Sequence, residues 1–206
     1  AVLTANNAGT AQTVRFNGNV DGGGTYSLTI NDNAVFGNAA VDNVTGITAL
    51  EVGGNANFTS SVTAGGTIEI TGTTAINTTT ITTTGNQTYT GDVTLGAEAE
   101  LTGSTLFFSS NVIGAAYTLT ITGDTEFTGT IDNVPALDIT GTAELNGAVT
   151  NVGTFTVDGD AVINNTITAT TSLEVTGTTD INTSTITTTG TQTYIGDVTL
   201  GAAAVL

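Results

Sequence analysis

A duplicated block constrains the fold of this chain more than any other feature of its sequence. Residues 67–101 return as residues 172–206 at a fixed offset of 105 residues, and 26 of the 35 aligned positions are identical. Self-similarity at a fixed offset is the sequence signature of a repeat architecture. We therefore divide the chain into two super-repeats, residues 1–98 and residues 99–206, and expect them to continue into each other as a single rod.

A shorter period of 18 or 19 residues runs through both super-repeats. Its frame is LxIxGxxxF, as in Leu50-Val52-Gly54-Phe58 and Leu119-Ile121-Gly123-Phe127, and about ten such units fill the chain. The alternation of apolar and polar residues over short runs, interrupted by Gly, Asn or Asp, predicts strands and turns. One period accommodates three short strands and three corners, which is one coil of a parallel β-helix.

The fold class predicted from this period is all-β, a parallel β-helix (β-solenoid) of about ten coils of 18–19 residues. Coils at strand spacing rise roughly 4.8 Å each, so the rod would be on the order of 50 Å long. Alternation places the frame's apolar residues, Ile139 among them, inside, where we expect aliphatic ladders because aromatic residues are only 5% of the chain. Two corner columns are also predicted, a single glycine column and a ladder of stacked asparagines; they comprise Gly54, Gly72, Gly91, Gly123, Gly141, Gly159, Gly177 and Gly196, and Asn77, Asn146, Asn164 and Asn182.

Charge and composition exclude several classes of partner. The net charge is -17, with one Lys or Arg, no His and 18 acids, so neither nucleic acid nor an anionic membrane surface is an expected partner. No apolar run is long enough to span a bilayer, and no Cys is present to form disulfides. A surface of Thr, Asn, Ser and Gly is common in exported bacterial proteins, so we expect a secreted, cell-surface location.

Few residues of this chain are suited to catalysis. The only basic residue is Arg15, and His, Lys, Cys and Trp are all absent. General bases, nucleophiles and sugar-stacking platforms are therefore nearly all missing. We predict that the protein is not an enzyme and that it has no catalytic residues and no organic cofactor.

Calcium is the one cofactor that the acidic residues suggest. Glu51 and Glu69 occupy the same outward position in successive coils, and two stacked carboxylates offer the oxygen ligands that calcium prefers. Asp158 and Asp160 in the sequence VDGDA are a weaker candidate pair, as is Asp32. The alternative is a solvated acidic stripe that keeps a sparsely charged rod in solution.

Threonine runs suggest a remote alternative function. Residues 80–84 and 183–189 contain Thr-x-Thr patterns similar to those of ice-binding solenoids, which display paired threonines on one flat face. The outward slots of the single-column layout also contain acids, which a lattice-matched face would not tolerate. Ice binding, like carbohydrate binding, is therefore a remote alternative.

The LxIxGxxxF coil and the phrase TGxQTYxGDVTLGA resemble the repeat regions of filamentous-haemagglutinin-like and other large β-strand-repeat surface proteins of bacteria. The resemblance extends over essentially the whole chain. It implies a right-handed parallel β-helix in a secreted or surface-anchored fibrous protein, in contact with a cell surface, a host or a matrix. It transfers no catalytic residue.

Two functions of different class follow from these observations. In the first, the protein is a structural subunit that stacks head to tail with copies of itself into a fibre, sheath or surface filament; Leu206 is in phase with Ala1, and neither end shows a polar capping segment. In the second, the chain is a stalk segment of a giant secreted adhesin, and the phase continuity reflects a polypeptide that goes on. We favour the fibre.

Overall fold

A computed structural model describes residues 2–3, 12–38 and 42–206. Its strands are joined in one sheet, and every pairing between them in the described ranges is parallel. Ala1, in phase with Leu206, lies outside the described residues. The strands are β1 (Val2–Leu3), β2 (Thr13–Phe16), β3 (Val20–Ile30), β4 (Asn33–Phe36), β5 (Val44–Val52), β6 (Ala56–Phe58), β7 (Val62–Ile70), β8 (Thr74–Ile76), β9 (Thr80–Thr83), β10 (Gln87–Tyr89), β11 (Val93–Leu95), β12 (Ala99–Phe108), β13 (Val112–Ile113), β14 (Leu119–Phe127), β15 (Ile131–Ile139), β16 (Ala143–Leu145), β17 (Val149–Val157), β18 (Ala161–Ile163), β19 (Ile167–Thr170), β20 (Ser172–Val175), β21 (Thr179–Ile181), β22 (Ile186–Thr188), β23 (Gln192–Tyr194) and β24 (Val198–Leu200).

The strands form about ten coils of a parallel β-solenoid, which confirms the predicted fold class. Each coil crosses three walls, and each wall is a ladder of strands from successive coils. The first wall contains residues 28–30, 50–52, 68–70, 87–89, 106–108, 125–127, 143–145, 161–163, 179–181 and 198–200. The second wall begins at residues 14–16 and includes 56–58, 74–76 and 93–95, and the third wall includes 81–83, 119–121, 137–139, 173–175 and 192–194.

The interior consists of side chains stacked in register along the rod. Ile30, Val52 and Ile70 follow one another in the first wall and are fully buried, while their neighbours in sequence point outward. Ile139 is likewise fully buried in the third wall. The predicted assignment of apolar residues to the inside is confirmed.

The interior is mainly aliphatic, as expected, and most of the few aromatic rings are concentrated in two ladders. Phe16, Phe36 and Phe58 stack in the second wall with ring centroids 5.2 Å apart. Tyr89 stacks on Phe108 at 5.2 Å in the first wall, and the ladder continues to Phe127 at 4.8 Å. In-register parallel pairing places each ring above the next, so a small number of aromatic residues forms continuous stacks.

The duplicated block occupies a different wall in each copy. Ile68 and Ile70 lie in the first wall, whereas their counterparts Leu173 and Val175 lie in the third. Five coils lead from residues 68–70 to residues 161–163, and two further walls lead from there to residues 173–175. The offset of 105 residues is thus five coils and two walls, so equivalent positions of the two super-repeats are rotated by one wall about the axis.

This rotation divides the predicted single glycine column between two corners. Gly54, Gly72 and Gly91 stack at the corner between the first and second walls, whereas the column from Gly123 to Gly196 lies between the third and first walls. The single column is therefore wrong, because the frame changes wall between its copies. A close backbone approach explains the glycine: a Cβ added at Gly72 would lie 2.6 Å from the carbonyl carbon of Gly54.

One polar network is buried between the walls. Tyr89 donates a hydrogen bond from its hydroxyl to Gln87 Oε1 at 2.6 Å, and Gln87 Nε2 lies 2.8 Å from the carbonyl oxygen of Thr102. Burial raises the pKa of the Tyr89 phenol, so the hydroxyl keeps its proton. The counterparts Gln192 and Tyr194 make the same hydrogen bond at 3.1 Å.

We predict that Ile139→Asp prevents the coils around residue 139 from folding. An unpaired buried carboxylate costs several kcal/mol (about 3 or more), a large part of the stability of a small protein. Thermal unfolding followed by circular dichroism would show the loss. Thr140→Asp adds the same charge at the exposed neighbouring position and should change the unfolding free energy by less than about 0.5 kcal/mol; equal melting curves for the two variants would contradict the inward position of Ile139.

We further predict that Thr74→Val stabilises the rod. The Thr74 hydroxyl is buried and has no hydrogen-bond partner, and Val93 occupies the next position in the same ladder. Replacing an unsatisfied hydroxyl by a methyl group of equal size should raise the unfolding free energy by about 1 kcal/mol. Thr73→Val, at an exposed corner, is the control in the same thermal melts, and a lower melting temperature for Thr74→Val would show that the hydroxyl has a partner.

Candidate functional site: the outer columns and the terminal coil

The first calcium candidates lie next to each other. Glu51 is opposite Glu69 on the outer side of the first wall, and both side chains are exposed. Thr29, the preceding member of this column, donates a hydrogen bond from Oγ1 to Glu51 Oε2 at 3.3 Å. The structure therefore confirms that the two glutamates stack.

The other calcium candidates are far from this pair. Asp158 and Asp160 lie at the corner between the third and first walls, five coils or roughly 24 Å away from Glu69 along the axis. Asp160 Oδ1 accepts a hydrogen bond from the backbone N–H of Thr178 at 2.7 Å, which commits it to the next coil. The described ranges contain no group of three or more acidic side chains that would hold a metal ion. Calcium binding at Glu51 and Glu69 stays a prediction carried by two side chains.

Asp160 belongs to a set of corner residues that join neighbouring coils. Each member is an Asp or Asn whose side-chain oxygen accepts a hydrogen bond from a backbone N–H of the next coil, at 2.7 to 3.1 Å. Most of them follow a corner glycine, so the Gly-Asx pattern is a sequence signal that predicts these contacts. The pairs, acceptor first, are Asn33–Asn55, Asn55–Thr73, Asp92–Asn111, Asn111–Thr130, Asp124–Thr142 and Asp160–Thr178.

Asp92 accepts the shortest hydrogen bond of this set. Its Oδ1 accepts hydrogen bonds from Ser110 Oγ at 2.5 Å and from the backbone N–H of Asn111 at 3.1 Å. These donors stabilise the carboxylate and lower the pKa of Asp92 below its ordinary value of 3.8. The charge of Asp92 therefore contributes to the contact between two coils.

Asparagine side chains form the predicted ladder over three coils. Asn182 Nδ2 donates to Asn164 Oδ1 at 2.8 Å, and Asn164 Nδ2 donates to Asn146 Oδ1 at 2.7 Å. Asn77 does not join them, because its copy of the block lies one wall away; it donates to Asn57 Oδ1 at 2.8 Å. The ladder is confirmed for three of its four predicted members.

The outer side of the third wall carries a column in which threonine and acid alternate. Strand register places a threonine in one coil and an acidic residue in the next. Within the column, Thr156 Oγ1 donates a hydrogen bond to Asp138 Oδ1 at 2.6 Å. Intervening threonines separate the carboxylates by two coils, which weakens their repulsion. The column is Thr80, Glu100, Thr120, Asp138, Thr156, Glu174 and Thr193.

The last coil exposes a surface that is buried elsewhere in the rod. Val198 and Leu200 are 42% and 59% exposed, whereas their counterparts Val93 and Leu95 are each 1% exposed. Leu206 is 58% exposed, and its counterpart Leu101 is fully buried. We call Gln192, Tyr194, Val198, Leu200 and Leu206 the terminal face.

Strand edges are open at the same surface. In the described part of the chain β23 pairs only with β20, and β24 pairs only with β21. The opposite edge of each strand therefore presents N–H and C=O groups that are arranged to pair with one more parallel strand. The terminal face thus combines an apolar surface with unpaired backbone groups.

Comparison with known proteins assigns no family. The chain matches no protein-family model, and neither curated proteins nor solved structures give a significant match. Among the described residues there is no helix long and apolar enough to cross a membrane.

We predict that acid weakens the contact made by Asp92. Its folded-state pKa is lowered, so its charge stabilises the fold above the ordinary value of 3.8, and this stabilisation is lost as the pH falls through the folded-state pKa. The melting-temperature advantage of the wild type over Asp92→Asn should therefore shrink as the pH falls below 3.8.

The control for this experiment is Glu98→Ala. Glu98 is exposed, and its counterpart in the second super-repeat is Ala203, so the rod accepts alanine at this position. A wild-type advantage over Asp92→Asn that is constant with pH would contradict the role of the Asp92 charge.

Proposed function

We propose that the protein is a structural β-solenoid subunit that stacks end to end with further copies into an extracellular fibre, sheath or surface filament. The terminal face carries this proposal. A solenoid coil contacts only its neighbours, and the counterpart of the terminal face at residues 87–101 is covered by a further coil, so the terminal face is complementary to another coil. The head-to-tail contact of identical rods uses different surfaces on the two partners, and such contacts extend into filaments rather than closed pairs.

Apolar burial and strand pairing both favour stacking. Covering a Val or Leu side chain contributes about 1.5 to 3 kcal/mol relative to leaving it exposed, and the terminal face contains three such side chains, Val198, Leu200 and Leu206. New backbone hydrogen bonds along β23 and β24 add direction, because they form only with a parallel strand in register. The burial of apolar side chains and the backbone hydrogen bonds together favour an ordered joint over a disordered aggregate.

The outer surface supports a location outside the cell. Thr, Asn and Asp form the corner contacts between coils, and the outward columns add acids and further threonines. The resemblance to filamentous-haemagglutinin-like repeats agrees with such a surface. We place the fibre at the surface of a cell or in its surroundings on these grounds.

A stalk segment of a giant adhesin is the second candidate function. The observation that favours it is the rotation of the super-repeat by one wall, because a chain that continued with further super-repeats would extend this rod without a break. In that protein the terminal face would be covered by the next coil of the same polypeptide. The function would then be to hold a distal binding tip.

We predict that the purified 206-residue chain forms thin filaments as its concentration rises, visible by negative-stain electron microscopy. Leu200→Asp should abolish them, because it places a charge on the terminal face. Ala75→Asp is the matched control: it adds the same charge in the middle of the rod, at the position whose counterpart is Asp180. Monodisperse rods of wild-type protein at every concentration would overturn the fibre and leave the stalk.

A further inference from the structure

The first coils of the chain are the counterparts of a coil in its middle. Residues 13–22 align with residues 105–114, and residues 26–36 align with residues 117–127, with ten identities in 21 positions, Phe16 with Phe108 among them. The local structure agrees with this alignment. Gly23 and Gly24 have φ angles of 59° and 74°, and their counterparts Ala115 and Ala116 have φ angles of 49° and 72°, although alanine rarely adopts this conformation.

Strand pairing and hydrogen bonding agree as well. Leu3 pairs with Ile30 as Leu101 pairs with Ile121. Each coil also contains an asparagine whose Oδ1 accepts a hydrogen bond from a backbone N–H of the following coil: Asn19 from residue 43 at 2.8 Å, and Asn111 from residue 130 at 3.0 Å. The counterparts differ by one wall, since Phe108 lies in the first wall and Phe16 in the second.

The middle of the chain therefore contains a template for the joint between two copies. Residues 105–127 lie directly on residues 87–101, and the terminal coil, residues 192–206, is the counterpart of residues 87–101. We propose that a second copy of this chain places residues 13–36 on the terminal face with a rotation of one wall, so that its second wall extends the third wall of the first copy. This inference rests on the proposed function and specifies its geometry.

Four contacts of the template define the joint. Tyr89 stacks under Phe108 at 5.2 Å, so Tyr194 stacks under Phe16 of the second copy and joins its ladder of phenylalanines. Val93 pairs with Val112, so Val198 is covered by Val20. Thr88 lies opposite Phe107, so Thr193 lies opposite Arg15 of the second copy. Asp92 accepts a hydrogen bond from the backbone N–H of Asn111, so Asp197 accepts one from the backbone N–H of Asn19.

Charge favours the rotated joint. Arg15 is the only basic residue of the chain. The rotation places it at the end of the third-wall column, opposite Thr193 and two coils beyond Glu174. Without rotation Arg15 would lie over Val205 in the second wall, away from this acidic column. Attraction between the guanidinium and the column adds to the stacking of Tyr194.

Two residue pairs compete for one place at this joint. Glu100–Leu101 pairs with residues 80–81 in the coil below and with residues 120–121 in the coil above. Its counterparts are Val2–Leu3 near the start of the chain and Val205–Leu206 at its end. Among the described residues Val2–Leu3 has only its upper contact and Val205–Leu206 has only its lower contact. Only one pair can occupy this position between two copies, so formation of the joint displaces the other pair.

Engineered cysteines test the rotation, because the 206 residues contain no other cysteine. Residues in register on neighbouring strands lie at a distance that a disulfide spans, about 4.4 to 6.8 Å between Cα atoms. The variant with Arg15→Cys and Thr193→Cys should form a ladder of covalent multimers on oxidation, seen on non-reducing gels. The variant with Arg15→Cys and Val205→Cys, which would cross-link in the unrotated joint, should remain free of multimers.

A second pair of variants makes the test independent of Arg15. The template pair Thr94 and Ile113 predicts multimers for Asp21→Cys with Thr199→Cys, whereas Asp21→Cys with Thr193→Cys would report the unrotated joint. Melting temperatures close to that of the wild type verify that each variant folds. Multimers from the unrotated pairs would overturn the rotation and leave end-to-end stacking intact. Wild-type protein that stays monomeric in light scattering overturns the proposed fibre and the joint together.

Discussion

Everything in this rod depends on the stacking of like upon like in parallel register. A parallel ladder brings each side chain directly over the residue at the same position in the previous coil. An inward column therefore has to be compatible with itself, which Ile30, Val52 and Ile70 achieve with aliphatic groups and Phe16, Phe36 and Phe58 with parallel rings. In a periodic sequence, side chains that stack well between one pair of coils also stack well between every other pair.

Corners depend on the same rule through polar groups. Where the chain turns between walls its backbone N–H groups leave the strand ladder, and an Asp or Asn in the coil before supplies the missing acceptor. Glycine precedes most of these residues because neighbouring corners approach too closely for a Cβ atom. In the corner sequence Gly-Asx, the glycine allows the close approach of two corners and the Asx side chain supplies a hydrogen-bond acceptor. The strands of the walls require neither.

Sequence reasoning predicted the coil and missed the rotation, and the reason is physical. The frame LxIxGxxxF describes a strand, a corner and the next strand, and all three walls offer that environment. The change of wall arises in residues 99–117, which lack the frame and advance the chain by two additional walls between Gly91 and Gly123. Pairing with the coil above and below decides the wall, and that information is not local to any motif.

The inward Gln87 and the alternating column of the third wall were missed for the same reason. Glutamine is normally exposed, and its burial here is tolerable because its side chain bonds with the Tyr89 hydroxyl, with Thr83 Oγ1 and with the carbonyl oxygens of Ile81 and Thr102. Thr156 and Glu174 are neighbours on adjacent strands, and this can be recognised only once the strand register is known. In contrast the Asn146, Asn164 and Asn182 ladder was predictable, since one copy of the period brings these residues to one corner.

The acidic columns make the rod a polyelectrolyte. A net charge of -17 over about ten coils at strand spacing is roughly one charge per 3 Å of length, close to the value of about 3.4 Å per charge for one strand of DNA. Such a line of charge gathers a sheath of counterions, whose thickness is about 10 Å in 0.1 M salt. Two such rods therefore repel each other over a distance that the salt concentration sets.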